Sequence, residues 1–177
     1  WSPSPDRLRA FADEAASIVS APIEAAASAR DAVRDADIIC CVTSSRTPVV
    51  EGEWIARGAH VNAVGASTPD TRELDTAAIA AARVYVDRRE SALAEAGDIL
   101  IPLNEGAIGP DHIRGELGEL LTGSARGREN PDDVTVFKSL GLAIEDAAAA
   151  QHVHAAAVRA GLGTEIDLRH SHGEVLR

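Results

Sequence analysis

HVNAVGASTPDTREL, His60 to Leu74, is the stretch whose reading decides the fold. It opens as a short alternating apolar run and passes at Gly65, Ala66 and Ser67 into small residues ahead of Pro69, the pattern of a strand ending in a tight loop. In an open parallel sheet the ligand sits at the carboxyl ends of the strands, where small side chains let a flat ring lie against the main chain. The same residues also suit an ordinary strand–turn–helix connection, and at this level both readings stand.

Upstream, ADIICCV holds an unbroken apolar run from Ile38 to Val42, which predicts a strand buried on both faces. The polar cluster TSSRTP, Thr43 to Pro48, ends it with hydroxyls that could line a ligand or simply satisfy loop backbone. SARDAVRDA from Ser28 predicts a helix, and Ile18-Val19 a short strand before Pro22. Ser4 is the expected N-cap of a helix that begins at Pro5 and repeats Leu8, Phe11, Ala12 and Ala15 at helical spacing. Trp1 to Ser4 reads as the tail of a strand.

Downstream, DTAAIAAA predicts a helix, Arg83 to Asp87 a strand, RESALAEAG a helix, and DILIPL a further apolar run ending at Pro102. HIRGELGELLTG from His112 is expected to be a helix stopped by Gly123, and VTVFKS a strand following a solvated loop. An alanine-rich helix from Leu140 to Arg159 ends at Gly161, with a polar tail beyond Leu168. Strands alternating with helices of this length call for an α/β fold with a parallel sheet.

Composition narrows the function. The 177 residues are 45% hydrophobic and only 3% aromatic, so alanine and aliphatic side chains must fill one domain-sized core. A net charge of -11 disfavours nucleic acid as a partner. Cys40 and Cys41 are neighbours in an apolar run and read as small core residues of a reducing compartment. No apolar run approaches the roughly 20 residues of a membrane span, and no signal peptide opens the sequence, so a cytoplasmic location away from membranes is expected. The chain contains no methionine, even at position 1, and is read as an excerpt that begins inside a domain.

The chemistry-bearing residues are few. His152 and His154 stand two apart on a helix and face different directions, and His170 and His172 fall in the tail, so no metal site is expected. GxSxG, GxGxxG and Walker loops are absent. Lys138 and Ser139 close a strand ahead of the long helix, as an anion or carbonyl contact or, for Ser139, as an N-cap.

The order of ADIICCVTSS, GEWIARGAHVNAVGASTPDTRELD, VYVDRRESALAEAGDILIP, ELGELLTG and VTVFKSLGLAIEDAAAA resembles the ornithine cyclodeaminase/μ-crystallin family, from about Ala36 to Leu168. The resemblance implies a Rossmann-like doubly wound parallel sheet that binds NAD or NADP and transfers hydride to or from the carbon of an imine or amine. It divides the chain into a partial nucleotide-binding domain at 1–139, a C-terminal helix at 140–168 that packs back toward a substrate and dimerisation domain, and a tail at 169–177. That N-terminal domain, the first strand and the family's glycine-rich turn would lie before Trp1. A gap in the sheet is therefore expected, with a segment that neither folds stably nor binds cofactor by itself.

Carried onto this sequence, the resemblance puts Thr43, Ser44 and Ser45 at the nicotinamide-side ribose or pyrophosphate, and Val64, Gly65 and Ala66 against the nicotinamide. Ser139, with Lys138, reaches the carboxamide region, and Ser2 meets the adenosine ribose. With Ser2 and no carboxylate there, and Arg7 one turn on, the reading leans from NAD toward NADP. Ser67 stands where cyclodeaminases carry the aspartate that handles a proton, and Thr71 where they carry a lysine on the cofactor side. Reduction of a ketimine or cyclic imine such as pyrroline-2-carboxylate, by a homodimeric enzyme, is thus expected ahead of ornithine cyclodeamination, alanine dehydrogenation or non-catalytic binding of NADP or a small ligand.

Overall fold

Five parallel strands form one sheet in the computed structural model, which describes residues 1–164 and 166. In chain order the elements are α1 (Pro5–Ala16), α2 (Ala29–Val33), β1 (Ile38–Cys41), β2 (His60–Ala63), α3 (Thr76–Ala81), β3 (Arg83–Val86), α4 (Arg89–Glu95), α5 (Gly97–Asn104), β4 (Ile113–Glu116), α6 (Leu117–Thr122), β5 (Thr135–Lys138) and α7 (Ala143–Ala160). The strand order is β1-β2-β5-β3-β4, and every pairing is parallel.

The register explains the core. Ile39, Val61, Val136 and Val84 stand in one row across four strands, and Cys41, Ala63, Lys138 and Val86 in the next but one. A strand's period of two puts both rows on the same face. There they pack with Val33, Leu74, Ala78, Ile79, Ala92, Ala96 and Ile99 from the connecting segments. Asp75 starts α3 by accepting the Ala78 N–H at 2.7 Å, and its Oδ1 also takes the Gly52 N–H at 2.9 Å. Ser4 caps α1 as expected.

Several expectations are corrected. β1 is not buried on both faces: it is an outer strand whose Ile38 and Cys40 are exposed while Ile39 and Cys41 are covered. The five described strands are contiguous, and β1 is their outer strand, with a groove along the edge where the missing first strand was expected. Trp1–Ser4 pairs with no strand of the described sheet and so forms none, and Ile18-Val19 lies in the exposed turn where α1 ends. The apolar run DILIPL, for which no element type was expected, is helical. It forms α5, whose Gly97, Asp98, Ile99 and Pro102 are buried, and an apolar run of this length does not by itself separate a strand from a covered helix. HIRGELGELLTG is not one helix: Ile113–Glu116 pairs with β3 before α6 begins, leaving Gly115, a poor helix former, inside a strand.

The chain divides into two compact units, Trp1–Leu140 and the residues from Gly141 on. In the second unit α7 carries no buried residue and stops at Gly161, whose φ of 65° suits glycine. The expected tail at 169–177, with His170 and His172, lies outside the described residues. Among the described residues no helix is long and apolar enough to cross a membrane.

Candidate functional site at the carboxyl edge of the sheet

Because all strands run parallel, the segments following them emerge along one edge, with Thr43, Gly65, Ser139 and Asp87 just beyond β1, β2, β5 and β3 and Glu116 closing β4. What ties this edge together is Glu73, fully buried in the crossover between β2 and α3. Its Oε1 accepts the Thr43 N–H and its Oε2 the Gly65 N–H at 2.7 Å, so one carboxylate holds two loops. Its carbonyl accepts the N–H groups of Val49 at 2.8 Å and Val50 at 3.1 Å. Both ends of the hydroxyl-bearing loop 43–50 are therefore fastened to one residue.

Beneath Glu73 lies a second buried acid. Asp98 Oδ1 accepts the N–H groups of Glu73 at 2.8 Å and Leu74 at 3.0 Å, while Oδ2 makes no hydrogen bond and faces Lys138 Nζ across 3.5 Å. Lys138 Nζ also donates to the Ala63 carbonyl at 3.1 Å. Burial drives the Asp98 carboxyl above the usual carboxylate range, against the opposing pull of the Leu74 N–H, Lys138 and the Glu73 N–H. Burial, with Glu73 and Asp98 nearby, likewise pushes the Cys41 thiol up to about 12. Cys41 is a covered apolar group, whereas Cys40 is exposed.

The residues singled out from the sequence are placed as follows. Thr43 uses its N–H on Glu73, and its Oγ1 accepts the Ser45 N–H at 3.2 Å. Ser44 is exposed, while the Ser45 hydroxyl donates to the Thr47 carbonyl at 2.7 Å and so stays within its own loop. Val64 is 44% exposed, Ala66 is buried and Ser67 is exposed. The Val64 N–H donates to the Cys41 carbonyl at 2.9 Å, and the Ser139 N–H to the Ala63 carbonyl at 3.1 Å. The end of β2 and the bend after it are thus bonded to the ends of both neighbouring strands, and the structure brings Thr43, Val64, Gly65 and Ser139 together.

Three expectations need correction, those for Gly65, Lys138 and Thr71. Gly65 is small for a different reason from ligand access: a Cβ there would lie 1.9 Å from the Thr43 carbonyl oxygen and 2.5 Å from Glu73 Oε1, so the space is filled by protein. The open side of the bend is the Val64 side chain. Lys138 offers no ammonium to a ligand, since β5's alternation turns it into the core with Val136. Thr71 spends its hydroxyl on the Thr68 carbonyl at 3.1 Å, within its own turn. Ser2 stands apart from the β1–β2–β5 ends, its Oγ accepting the Ser4 N–H at 3.3 Å in a hollow shared with Trp1, Arg7, Leu8 and Phe11. Trp1 also borders a groove along the outer edge of β1 that reaches Thr43.

Sequence reasoning missed Glu73, Asp98 and Asp87. Asp87 is buried and accepts the Leu140 N–H at 2.6 Å, linking the ends of β3 and β5. A signal existed: an acid inside the apolar run DILIPL and a lysine two residues beyond a core valine both demand partners, and they find each other. Among the described residues no cluster of histidine, cysteine and acidic side chains could hold a metal.

The edge offers an exposed serine in each of two loops, an apolar side chain between them, and main-chain donors already fixed on acids. It places no titrating side chain at Ser67. Comparison with known proteins agrees with this geometry. The chain is 43% identical over 138 residues to a Delta(1)-pyrroline-2-carboxylate reductase of Bacillus cereus, covering 77% of this chain and 42% of that protein. It is 44% identical over 149 residues to the ketimine reductase mu-crystallin of Mus musculus, covering 84% of this chain and 45% of that protein. The solved Delta(1)-pyrroline-2-carboxylate reductase of Thermococcus litoralis, in complex with NADH and L-proline, superposes with a TM-score of 0.88 at 41% identity, over 93% of this chain and 51% of that one. The chain spans about half the length of these relatives. The model of the ornithine cyclodeaminase/mu-crystallin family matches residues 1–161, and the chain belongs to that family.

Proposed function

We propose that the protein carrying this chain reduces a cyclic imine such as pyrroline-2-carboxylate to an amino acid with NADH or NADPH, and that this chain supplies the nucleotide-binding half. The observation that carries the reading is the carboxyl edge itself: Val64 is bonded to Cys41 at the end of β1, Ala63 just before it accepts from Ser139 at the end of β5, and the Val64 side chain is open to a ligand. A nicotinamide bound there supplies the hydride. Val64 gives the ring an apolar face, the Thr43 and Ser44 hydroxyls serve the ribose and pyrophosphate, and Ser139 lies on the carboxamide side. Ser2 and Arg7 share a hollow fitted to the adenosine ribose, where no carboxylate opposes a 2′-phosphate. Ser67 can hydrogen-bond a substrate but holds no proton to exchange at neutral pH, which suits reduction of an iminium already protonated on nitrogen and not deamination. On the same reading α7 packs toward a companion substrate domain, and the protein is a homodimer working in the cytoplasm.

The test is loss of nicotinamide absorbance when the full-length protein meets the cyclic imine with NADH or NADPH. Turnover is expected. Cofactor binding without turnover would leave a non-catalytic binder, and no cofactor binding would overturn the reading.

A further inference from the structure

We propose that Glu73 is a positioning residue of the nucleotide site, setting the spacing between the loop after β1 and the bend after β2; this rests on the function proposed above. The exposed Arg46–Asp70 pair also joins the two loops farther out, but Glu73 is the buried side chain that holds both at their necks. The carboxylate is acceptor-only, and each of its two oxygens takes a main-chain N–H from a different loop. The rest of the residue is equally committed: its N–H goes to Asp98 Oδ1 and its carbonyl receives Val49 and Val50. Loop 43–50, whose Ser44, Arg46 and Thr47 are exposed, is thus cinched at its neck by a buried group. The missing Cβ of Gly65 belongs to the same device, because any side chain there would drive the Glu73 carboxylate and the Thr43 main chain away from the bend.

The consequence for binding is geometric. Glu73 touches no ligand, yet the Thr43 and Ser44 hydroxyls stand at a fixed separation from Val64 only while both N–H bonds hold. Ligand-bearing groups need such a supporting layer to keep their geometry. Holding the loops in place before the dinucleotide arrives also spares the ordering cost on binding.

The experiment uses the full-length protein and Glu73→Gln, which keeps the shape but turns an NH2 toward one of the two N–H donors. Because a buried donor is left unsatisfied, the Kd for NAD(P)H is expected to rise about tenfold or more, with kcat at saturating cofactor changed far less. Val84→Ala, a core change in β3 remote from these loops, serves as the control for lost stability. A merely structural Glu73 would lower the melting temperature in both variants and shift Kd in neither when measured well below melting. A folded Glu73→Gln protein whose Kd stays within about twofold of wild type overturns the proposal. If that variant does not fold, amide exchange of the wild type without cofactor decides. Slow exchange at Thr43 and Gly65 is expected, and exchange at unstructured-loop rates would overturn the clamp. Wild type that fails to bind NAD(P)H at all rejects the function above, and this assignment with it.

Discussion

Lys138→Met removes the one cation facing the buried Asp98 carboxylate while keeping the length of the side chain. Both residues are fully buried, and Lys138 Nζ lies 3.5 Å from Oδ2 and 3.1 Å from the Ala63 carbonyl oxygen. Breaking such a pair by removing one partner costs about 3–5 kcal/mol, because the other charge stays buried without compensation. Asp98 has an escape, since burial already raises its pKa and it can take up a proton instead. Protonation at a cost of about 1.4 kcal/mol per pH unit above its pKa then caps the penalty, so a loss of roughly 3 kcal/mol at neutral pH is expected.

The sign of the pH dependence follows. An acid whose folded pKa is raised binds more protons folded than unfolded, so its contribution is present at low pH and lost as pH rises through the folded pKa. Removing Lys138 raises that pKa further, and the deficit of the variant should therefore shrink as pH falls from about 7 to about 5. The assay is denaturant unfolding of the full-length protein as a cycle with Asp98→Asn, whose Oδ1 can still accept the Glu73 and Leu74 N–H groups. The double variant should lose about 1–3 kcal/mol less than the sum of the singles. Additivity within about 0.5 kcal/mol, together with a deficit independent of pH, would show that the two charges do not compensate each other.

Gly65→Ala must displace Thr43 or Glu73, since its Cβ would sit 1.9 Å from the Thr43 carbonyl oxygen. A loss of about 3 kcal/mol, seen as a fall of roughly 6–12 °C in Tm, is expected, and an unchanged melting curve would contradict the packing. Asp75→Ala removes the acceptor shared by Ala78 and Gly52, and should cost about 1–2 kcal/mol in denaturant unfolding. With Cys41 pushed up to about 12 and Cys40 exposed, iodoacetamide on the native protein should add one label, at Cys40. Peptide mass spectrometry at about pH 8 checks this, and prompt double labelling would contradict the burial.

How far the sequence reached follows from what each signal is made of. β2, β3 and β5, the cap at Ser4 and the stop at Gly161 were legible because alternation, caps and glycine act within a few residues. β4 was not, since IRGE has no apolar run and owes its extended form to β3 beside it. α5 could not be told from a strand, because a short run that is apolar on most sides lacks the period that separates the two. At the site, hydroxyls and small residues at strand ends marked the place. The residues that hold it together come from segments far apart in the chain, and nothing within HVNAVGASTPDTREL indicates that Glu73 returns to Gly65 and Thr43.

One physical pattern unites these missed residues. Where a parallel strand leaves its sheet, its last N–H groups lose their neighbours and need acceptors. Here acids provide them: Glu73 takes Thr43 and Gly65, Asp87 takes Leu140, and Glu116 takes the Arg89 N–H at 2.8 Å. The acids span three of the four junctions between neighbouring strands, and the Ser139 N–H bonded to the Ala63 carbonyl spans the fourth, between β2 and β5. Those amides are then spent, and a dinucleotide docking on the edge must find its donors elsewhere, in exposed hydroxyls such as Ser44. The acids that stiffen the edge thereby also determine which groups are left to bind, and on the proposed function those groups are hydroxyls.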